Sequence, residues 1–423
     1  MKNNKGITLV ALVVTIVVLL ILATVSINLV LGDNGIVKKA QDAKTKSAEA
    51  SENDLKGMNS LVSEMEGVLN GNSGKTEPET EPYLPSDDFH YDTSTSVDTG
   101  LVIQDGSGNE YVWVVVPRTT AVYKKTELGK KTFTDADYTS IEKDLKEYTK
   151  TYRGSTSYSD TYAADDKNVG WLTSDEYTEL KNSMLKSVYE NGGFYVGRYE
   201  AGIETTGTNR KSNTDKNSDG KYIMPSTAPV TKADAYQYTY VTRTQAQNLA
   251  SKVNAGTKTS SLMFGVQWDL VLAFMHNKGN IADSTLTSNS TTIGNYRDSV
   301  FQLSQTGKYA TLSNGVLNST WNPSTTSTTN FVDSSRNKIA QSSNGNGILV
   351  TTGTSEKNKV MNIYDVAGNV PEWTLEKASF TSNPCAGRGG GYTFTCSDSP
   401  AAYRSSGSAD GSSNNTGFRV SLF

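Results

Sequence analysis

From Ile7 to Leu31 the chain is apolar apart from Thr8, Thr15, Thr24, Ser26 and Asn28. A helix of that length, at ~1.5 Å rise per residue, spans a bilayer core with some tilt. Lys2 and Lys5 precede the run, which favours a cytoplasmic N-terminus and an external remainder. A cleaved secretory signal fits less well, because its apolar part is shorter and ends in a small-residue cleavage site. Residues 1–31 therefore read as a leader and transmembrane helix. Gly32-Asp33-Asn34-Gly35 breaks the pattern, and residues 32–70 resume as a charged, Ala-rich, proline-free helix. In it, Leu55, Met58, Val62, Met65 and Leu69 form a short seam at coiled-coil spacing. This predicts a stalk helix packed on a neighbour or on its own domain. Residues 71–100, with Thr76-Glu77-Pro78-Glu79-Thr80-Glu81-Pro82, offer little apolar surface and read as a disordered linker carrying a solvated His90.

From Leu101 onward the patterning is that of a folded α+β protein. Leu101–Gln104 and Tyr111–Val116 predict a hairpin around Asp105-Gly106-Ser107-Gly108-Asn109. Arg118–Gly170 is polar and Tyr-rich, with weak helical character near Ile141–Tyr148, and is expected as a surface insertion. Ser174 can cap a helix over 175–190 whose inner side is Tyr177, Leu180, Met184, Leu185 and Val188. Gly192-Gly193 ends it, and Phe194–Tyr199 is the next strand. Thr242 or Thr244 caps a helix through Val253, and a helix over Val266–Met275 follows a strand at Leu262–Phe264. Asn277–Ser355 is dense in Ser, Thr and Asn and predicts long loops anchored by Trp321 and Phe331. The division is 101–191 as the N-terminal part of the globular region and 192–423 as the main domain.

Composition narrows the function classes. A net charge of -4 and pI near 5.5 give no reason to expect nucleic acid as a partner. Abundant Ser, Thr, Asn, Gly and Tyr, with 35% hydrophobic residues, suit a polar-surfaced extracellular protein. Cys385 and Cys396 fit either a local disulfide or two free thiols, because the spacing fixes no distance. His90 and His276 are the two histidines, and neither has a partner for nucleophilic or metal chemistry. Asn213, Asp215, Asn217, Asp219 and Gly220 are spaced like the start of an EF-hand loop, but the glutamate that closes such a loop is missing.

The most informative stretch is Asn362-Ile363-Tyr364-Asp365-Val366-Ala367-Gly368-Asn369-Val370-Pro371-Glu372-Trp373. Two carboxylates and a glycine-bent backbone suit a hard cation, or equally a Gly-Asn turn between strands. Arg388-Gly389-Gly390-Gly391-Tyr392 and Thr416-Gly417-Phe418-Arg419-Val420 follow it, and Gly193–Glu200 and Ser261–Leu270 precede it. In this order the five segments resemble the formylglycine-generating (sulfatase-modifying) enzyme family over roughly Gly192–Phe423. The resemblance implies a C-type-lectin-like fold, presented on the N-terminal transmembrane and stalk helix. It also implies a structural calcium held by Asp365 and Glu372 with the carbonyls of Gly368 and Val370, although Pro371 replaces the usual tryptophan. The family's copper-binding cysteines correspond here to Phe394 and Ser399, with Cys396 out of register, so catalysis is not expected.

Lys5-Gly6-Ile7-Thr8-Leu9-Val10 resembles the leader of type IV pilins, cut between Gly6 and Ile7. The glutamate usual at the fifth mature position is Ala11, which leaves the anchor intact and filament entry in question. In C-type-lectin-like domains the last strands and loops form a ligand face, here drawing on Tyr392, Phe394, Asp398, Tyr403, Ser405, Asp410, Asn414 and Asn415. That Tyr/Ser/Asn mixture suits binding, and the segment resembles the variable regions of diversity-generating retroelement targets. The expectation is a membrane-anchored, adhesin-like protein with an extracellular protein or glycan ligand. The alternative is a pilin-like subunit that carries the domain among other pilin-like subunits.

Overall fold

The computed structural model describes residues 82–204, 217–221, 224–313, 316–318, 320–323, 331–339 and 347–423, together with 16–17. The expected leader, the expected transmembrane helix apart from 16–17, the expected stalk helix and the start of the expected linker lie outside the described residues. Among those described, no helix is long and apolar enough to cross a membrane. The described residues from 82 onward belong to one compact unit.

In chain order the elements that position the site are β1 (His90–Tyr91), β2 (Val102–Gln104), β3 (Glu110–Val115), α1 (Asp135–Tyr148), α2 (Lys150–Arg153), β4 (Tyr158–Ser159), α3 (Ser174–Asn191) and β5 (Gly193–Gly197). They continue with α4 (Arg243–Ala250), β6 (Ser260–Leu262), α5 (Gly265–Asn277), α6 (Asp283–Thr287), β7 (Glu372–Ala378), β8 (Cys385–Arg388), β9 (Arg404–Gly407), β10 (Gly417–Phe418) and β11 (Val420–Leu422). One antiparallel sheet runs β1-β2-β3-β5-β11-β6, so the C-terminal strand closes between β5, from the first half of the chain, and β6. A second runs β9-β8-β7-β10, with β4 added on β7, and its β7–β10 pair is parallel. The result is a mixed α/β architecture. A large cluster fills the space between sheets and helices, with Trp113, Tyr195, Leu185, Trp268, Phe274 and Leu375 all buried. Two smaller clusters lie under the segment 301–350, and Trp321 packs edge-on to Tyr236.

The helices follow the sequence pattern. Thr173, one residue before the expected cap, closes a capping box with Glu176 at the start of α3. Tyr177, Met184, Leu185 and Val188 are buried as their spacing demands. Thr242 caps α4 in the same way.

Two expectations are corrected. Residues 82–100 are not linker: Tyr83 sits edge-on to Trp113 and Tyr195, Phe89 is buried, and His90–Tyr91 pairs with Ile103–Gln104. A few aromatics suffice to dock a polar segment whose composition alone favours disorder. Nor is 118–170 a surface insertion. Ile141 and Leu145 of α1 are buried, β4 extends the second sheet, and the Asp160 carboxylate accepts the first two amides of α5, Gly265 N at 2.6 Å and Val266 N at 3.1 Å.

Candidate ligand face and buried charge centres

The C-terminal face is built on two buried arginines. Arg388 ends β8 and Arg404 begins β9, and they pair across the ladder. Both reach Asp269 on α5: Arg388 Nη2 lies 2.7 Å from Oδ1, and Arg404 Nη2 lies 2.8 Å from each oxygen. Glu376 on β7 receives Arg404 Nε at 3.1 Å, and Arg153 of α2 donates to Asp269 at 2.8 Å. Three guanidiniums and two carboxylates thus tie the two strands to α2, α5 and β7.

Between the arginines the backbone is held by further buried groups. Gly389 and Gly390 adopt φ of +88° and +70°, and a Cβ on Gly390 would stand 2.0 Å from the Ser399 carbonyl. Gly389 O accepts from Gly368 N at 2.7 Å and from the Tyr296 hydroxyl at 3.0 Å. Trp268 Nε1 donates to Ala401 O, and Ala402 N donates to Leu286 O. Beyond β9, Asn168 Nδ2 donates to Ala409 O, Tyr240 N to Ser413 O and Gly417 N to Pro371 O.

Of the eight residues expected on the face, Tyr392 is corrected: it is buried with Ala310, Leu317, Leu349 and Val370 and is part of the core. The residue after a glycine turn can point either way, and here the turn sends it inward. Phe394 and Tyr403 are 39% and 38% exposed. Asp398 and Asp410 are exposed, and Ser405, Asn414 and Asn415 are half-buried. Tertiary structure adds neighbours that no local pattern marked. The Tyr158 hydroxyl donates to Arg404 O, and the half-exposed Phe380 ring stands edge-on to Tyr158 at 6.5 Å.

Cys385 and Cys396 are both free and buried. Burial pushes each thiol up to about 11, which disfavours the thiolate needed for metal binding or attack. Phe394 and Ser399 stand where the resemblance would put copper ligands.

The second centre lies in the stretch 361–372. Met361, Asn362, Asp365 and Asn369 all have left-handed φ, between 49° and 61°, a cost that only a well-determined site sustains. Asp365 and Glu372 come together with Glu200, just beyond β5, and all three are buried. Glu372 receives Arg419 Nε at 3.0 and 3.1 Å and Nη2 at 2.6 Å. Asp365 accepts from Asn358 Nδ2 and Gly353 N. Glu200 accepts from Gln237 Nε2, Asn369 Nδ2 and Val370 N. Burial raises Glu200 well above the carboxylate range, with repulsion from Asp365 and Glu372 adding to it, and burial pushes Asp365 up to about 6. Arg419 is the positive side chain that acts on all three. Two amide oxygens in the same cluster, Gln237 Oε1 and Asn358 Oδ1, are buried and accept no hydrogen bond. Carboxylate and amide oxygens are the donor types a divalent cation takes, but here Arg419 already lies on Glu372 and amide donors on Glu200 and Asp365. Among the described residues no three Asp, Glu, His or Cys side chains converge as a cage, so backbone carbonyls would have to complete the donor set. Gly368 and Val370 occupy the right place in the chain for that.

Two other candidates are not supported as sites. In the EF-hand-like pattern, Asn213 and Asp215 lie outside the described residues, and Asn217 Oδ1 accepts from the amides of Asp219 and Lys221 as an ordinary turn. His276 Nδ1 contacts Ile281 O at 2.9 Å near the end of α5.

Comparison with known proteins decides the family. Residues 199–422 match the model described as the sulfatase-modifying factor enzyme 1-like domain, FGE-sulfatase, over a little more than half of the chain. The chain belongs to this family. The matched span of this FGE-sulfatase member runs from Tyr199 to Leu422 and takes in both charge centres apart from Arg153, while β1–β5 and α1–α3 precede it. No curated protein matches the chain. Among solved structures it is similar to Treponema denticola variable protein 1, at 12% identity over 82% of this chain and 98% of that one. The TM-score of that comparison is 0.22, too low to support an argument about fold or function.

Proposed function

We propose that this FGE-sulfatase family member is a non-catalytic, adhesin-like ligand-binding protein with a C-type-lectin-like domain, anchored in the cell membrane by its N-terminal helix. Its ligand face is the exposed surface of residues 393–416. One observation carries this reading: the backbone from Arg388 to Gly417 is held chiefly by main-chain bonds, buried arginines and core side chains, and of the residues on the face only Ser405 bonds the frame across the ladder, through its Oγ to Gly387 O at 3.3 Å, among the bonds described. The side chains of Phe394, Asp398, Tyr403, Asp410 and Asn415 can therefore change with little loss of the frame, while Ser405 and Asn414 complete the proposed face. The large rigid rings of Phe394 and Tyr403, among small polar side chains, suit an extracellular protein or glycan. The two buried thiols, held in their neutral form, argue against copper-dependent oxidation. Calcium is proposed as a structural ion, with Asp365 and Glu372 supplying charge and the carbonyls of Gly368 and Val370 completing the donors.

The test is to sequence the 3′ end of the gene across many cells of one population. Substitutions confined to the seven positions of the face, with Arg388, Tyr392, Arg404 and Gly417 fixed, support a diversified display. A uniform segment leaves a binder of fixed specificity. Uptake of oxygen by the copper-loaded protein would overturn the non-catalytic reading. The pilin-like leader favours a second reading, a filament subunit carrying this domain, and N-terminal sequencing of the mature protein decides it by showing Met1 or Ile7.

A further inference from the structure

We infer that Lys338 is a positioning residue beneath the proposed ligand face: a buried amine that ties the 295–298 loop to the strand 337–338, and that loosens this tie when it takes up a proton. Its consequence for binding rests on the face assigned above, while its titration does not. Lys338 is fully buried, as is Asn295. The strand 337–338 pairs with 301–302, Phe301 standing opposite Lys338, and Val332 bridges to Lys338 as well. Phe301 and Val332 belong to one buried apolar cluster. Into these surroundings the amine donates to Asn295 Oδ1 at 2.7 Å and to the Tyr296 carbonyl, with the Phe301 ring centre 5.3 Å away. Asn295 is fixed in turn by Ile348 O and Asn369 Oδ1, each 2.9 Å from its Nδ2. The direct partners of the amine are therefore neutral carbonyl oxygens.

The charged groups on the elements around Lys338 are already engaged. On the turn before its strand, Asp333 accepts the amides of Ser335 and Asn337, and Arg336 donates to Ser304 O. On the loop it holds, the Asp298 carboxylate accepts Cys396 N at 3.1 Å, and Arg297, the next residue, donates its own amide to Phe394 O at 3.1 Å. The loop that Lys338 fixes is thus the loop that fixes residues 394–396 of the face. Burial pushes the amine down from 10.5 to about 7, with Asp298 opposing the shift. As a neutral amine Lys338 bridges two carbonyls and leaves Asp298 to Cys396. Once protonated it is a buried cation drawn toward Asp298, in competition with the Cys396 amide. Opening the loop lets the amine reach water and regain its ordinary affinity for protons. The open form therefore binds one more proton than the closed form in the window from about 7 up to 10.5. The closed form gains stability as pH rises through that window, and below it both forms are charged and the dependence stops.

The experiment follows hydrogen exchange of the full-length chain in detergent between about pH 6 and 9, expressed as protection factors for the peptides that carry Arg297 and Cys396. In wild type, protection should rise about tenfold per pH unit above 7 and stay level below it. Lys338→Met removes the titrating group, and Lys338→Arg stays charged throughout, so each should abolish the slope. An ordinary structural lysine, charged in the open and closed forms alike, gives no slope in wild type, and that result overturns the inference. So does a slope that survives in Lys338→Met, because another group is then titrating. Should neither variant fold, carbon NMR of the wild-type lysine side chains decides the matter. One lysine titrating near 7 supports the inference, and none titrating below about 9 overturns it. Failure of the ligand-face reading would leave the titration and the exchange slope as they are, so the two failures are told apart.

Discussion

Asp269→Asn is the most demanding test of the charge frame beneath the face. Asp269 is fully buried and receives Arg388 at 2.7 Å, Arg404 at 2.8 Å and Arg153 at 2.8 Å. The substitution keeps the volume but removes the charge, leaving three guanidiniums against Glu376. It also turns an N–H₂ group toward donors. Removing one partner of a buried pair costs about 3–5 kcal/mol, since the charges left behind remain desolvated. At roughly 2 °C per kcal/mol for a large domain, the melting temperature should fall by about 6–10 °C. Arg153→Met is the internal control. Arg153 is 18% exposed on its side chain, so water screens it, and its loss should cost about 1 kcal/mol or less. The assay is denaturant unfolding followed by circular dichroism, with both variants compared at equal slope. A loss below about 1 kcal/mol for Asp269→Asn, or one no larger than for Arg153→Met, would refute the idea that this cluster fixes β8 and β9.

Other outcomes follow from the same geometry. Changing Phe394, Tyr403, Asp410 and Asn415 together to alanine should move the melting temperature by only a few degrees, because exposed substitutions usually cost within about 0.5 kcal/mol each. Tyr392→Ala alone should cost about 3–5 kcal/mol as a core truncation; a reversed ranking sinks the proposed separation of frame and face. Gly390→Ala should abolish soluble folded protein or lower its stability sharply, since its Cβ would overlap Ser399 O at 2.0 Å, and a neutral result would show the turn is misplaced. A thiol reagent should find neither cysteine in the native protein and both after denaturation. Because burial pushes Cys385 and Cys396 up to about 11 from 9.0, their contribution to stability is complete below pH 9 and is lost as pH rises through 11. Buried Tyr111 and Tyr123 are raised in the same direction, so chemical denaturation should show stability declining from about pH 9 upward, and a flat profile would contradict the burial of these groups.

Much of the frame was legible one segment at a time. The inner faces of α3 and α4, the Thr242 cap and the Gly389–Gly391 turn follow from periodicity and from the few residues that tolerate such dihedrals, while the cap of α3 fell on Thr173, one residue before the Ser174 expected. The stretch from Asn362 to Trp373 stood out through its place in the ordered segments that resemble the family, since its spacing alone suits a Gly-Asn turn equally well. By contrast, nothing local in 118–170 showed that Arg153 would join Arg388 and Arg404, or that Asp160 would cap α5. These are pairings between charges more than a hundred positions apart, and a polar segment looks the same whether its charges face water or one another.

The sequence by itself determined which short segments form strands, helices and turns, because those choices depend on side-chain spacing and backbone dihedrals within a few residues. It also carried the order of motifs that marks the family. Tertiary structure alone decided that Tyr392 is core while Phe394 and Tyr403 face outward, and that residues 82–100 are docked. It alone brought Glu200 beside Asp365 and Glu372 with Arg419 as their shared positive partner. The physical reason is that burial and charge balance belong to the assembled neighbourhood, and in this fold the C-terminal strand completes a sheet begun three hundred residues earlier.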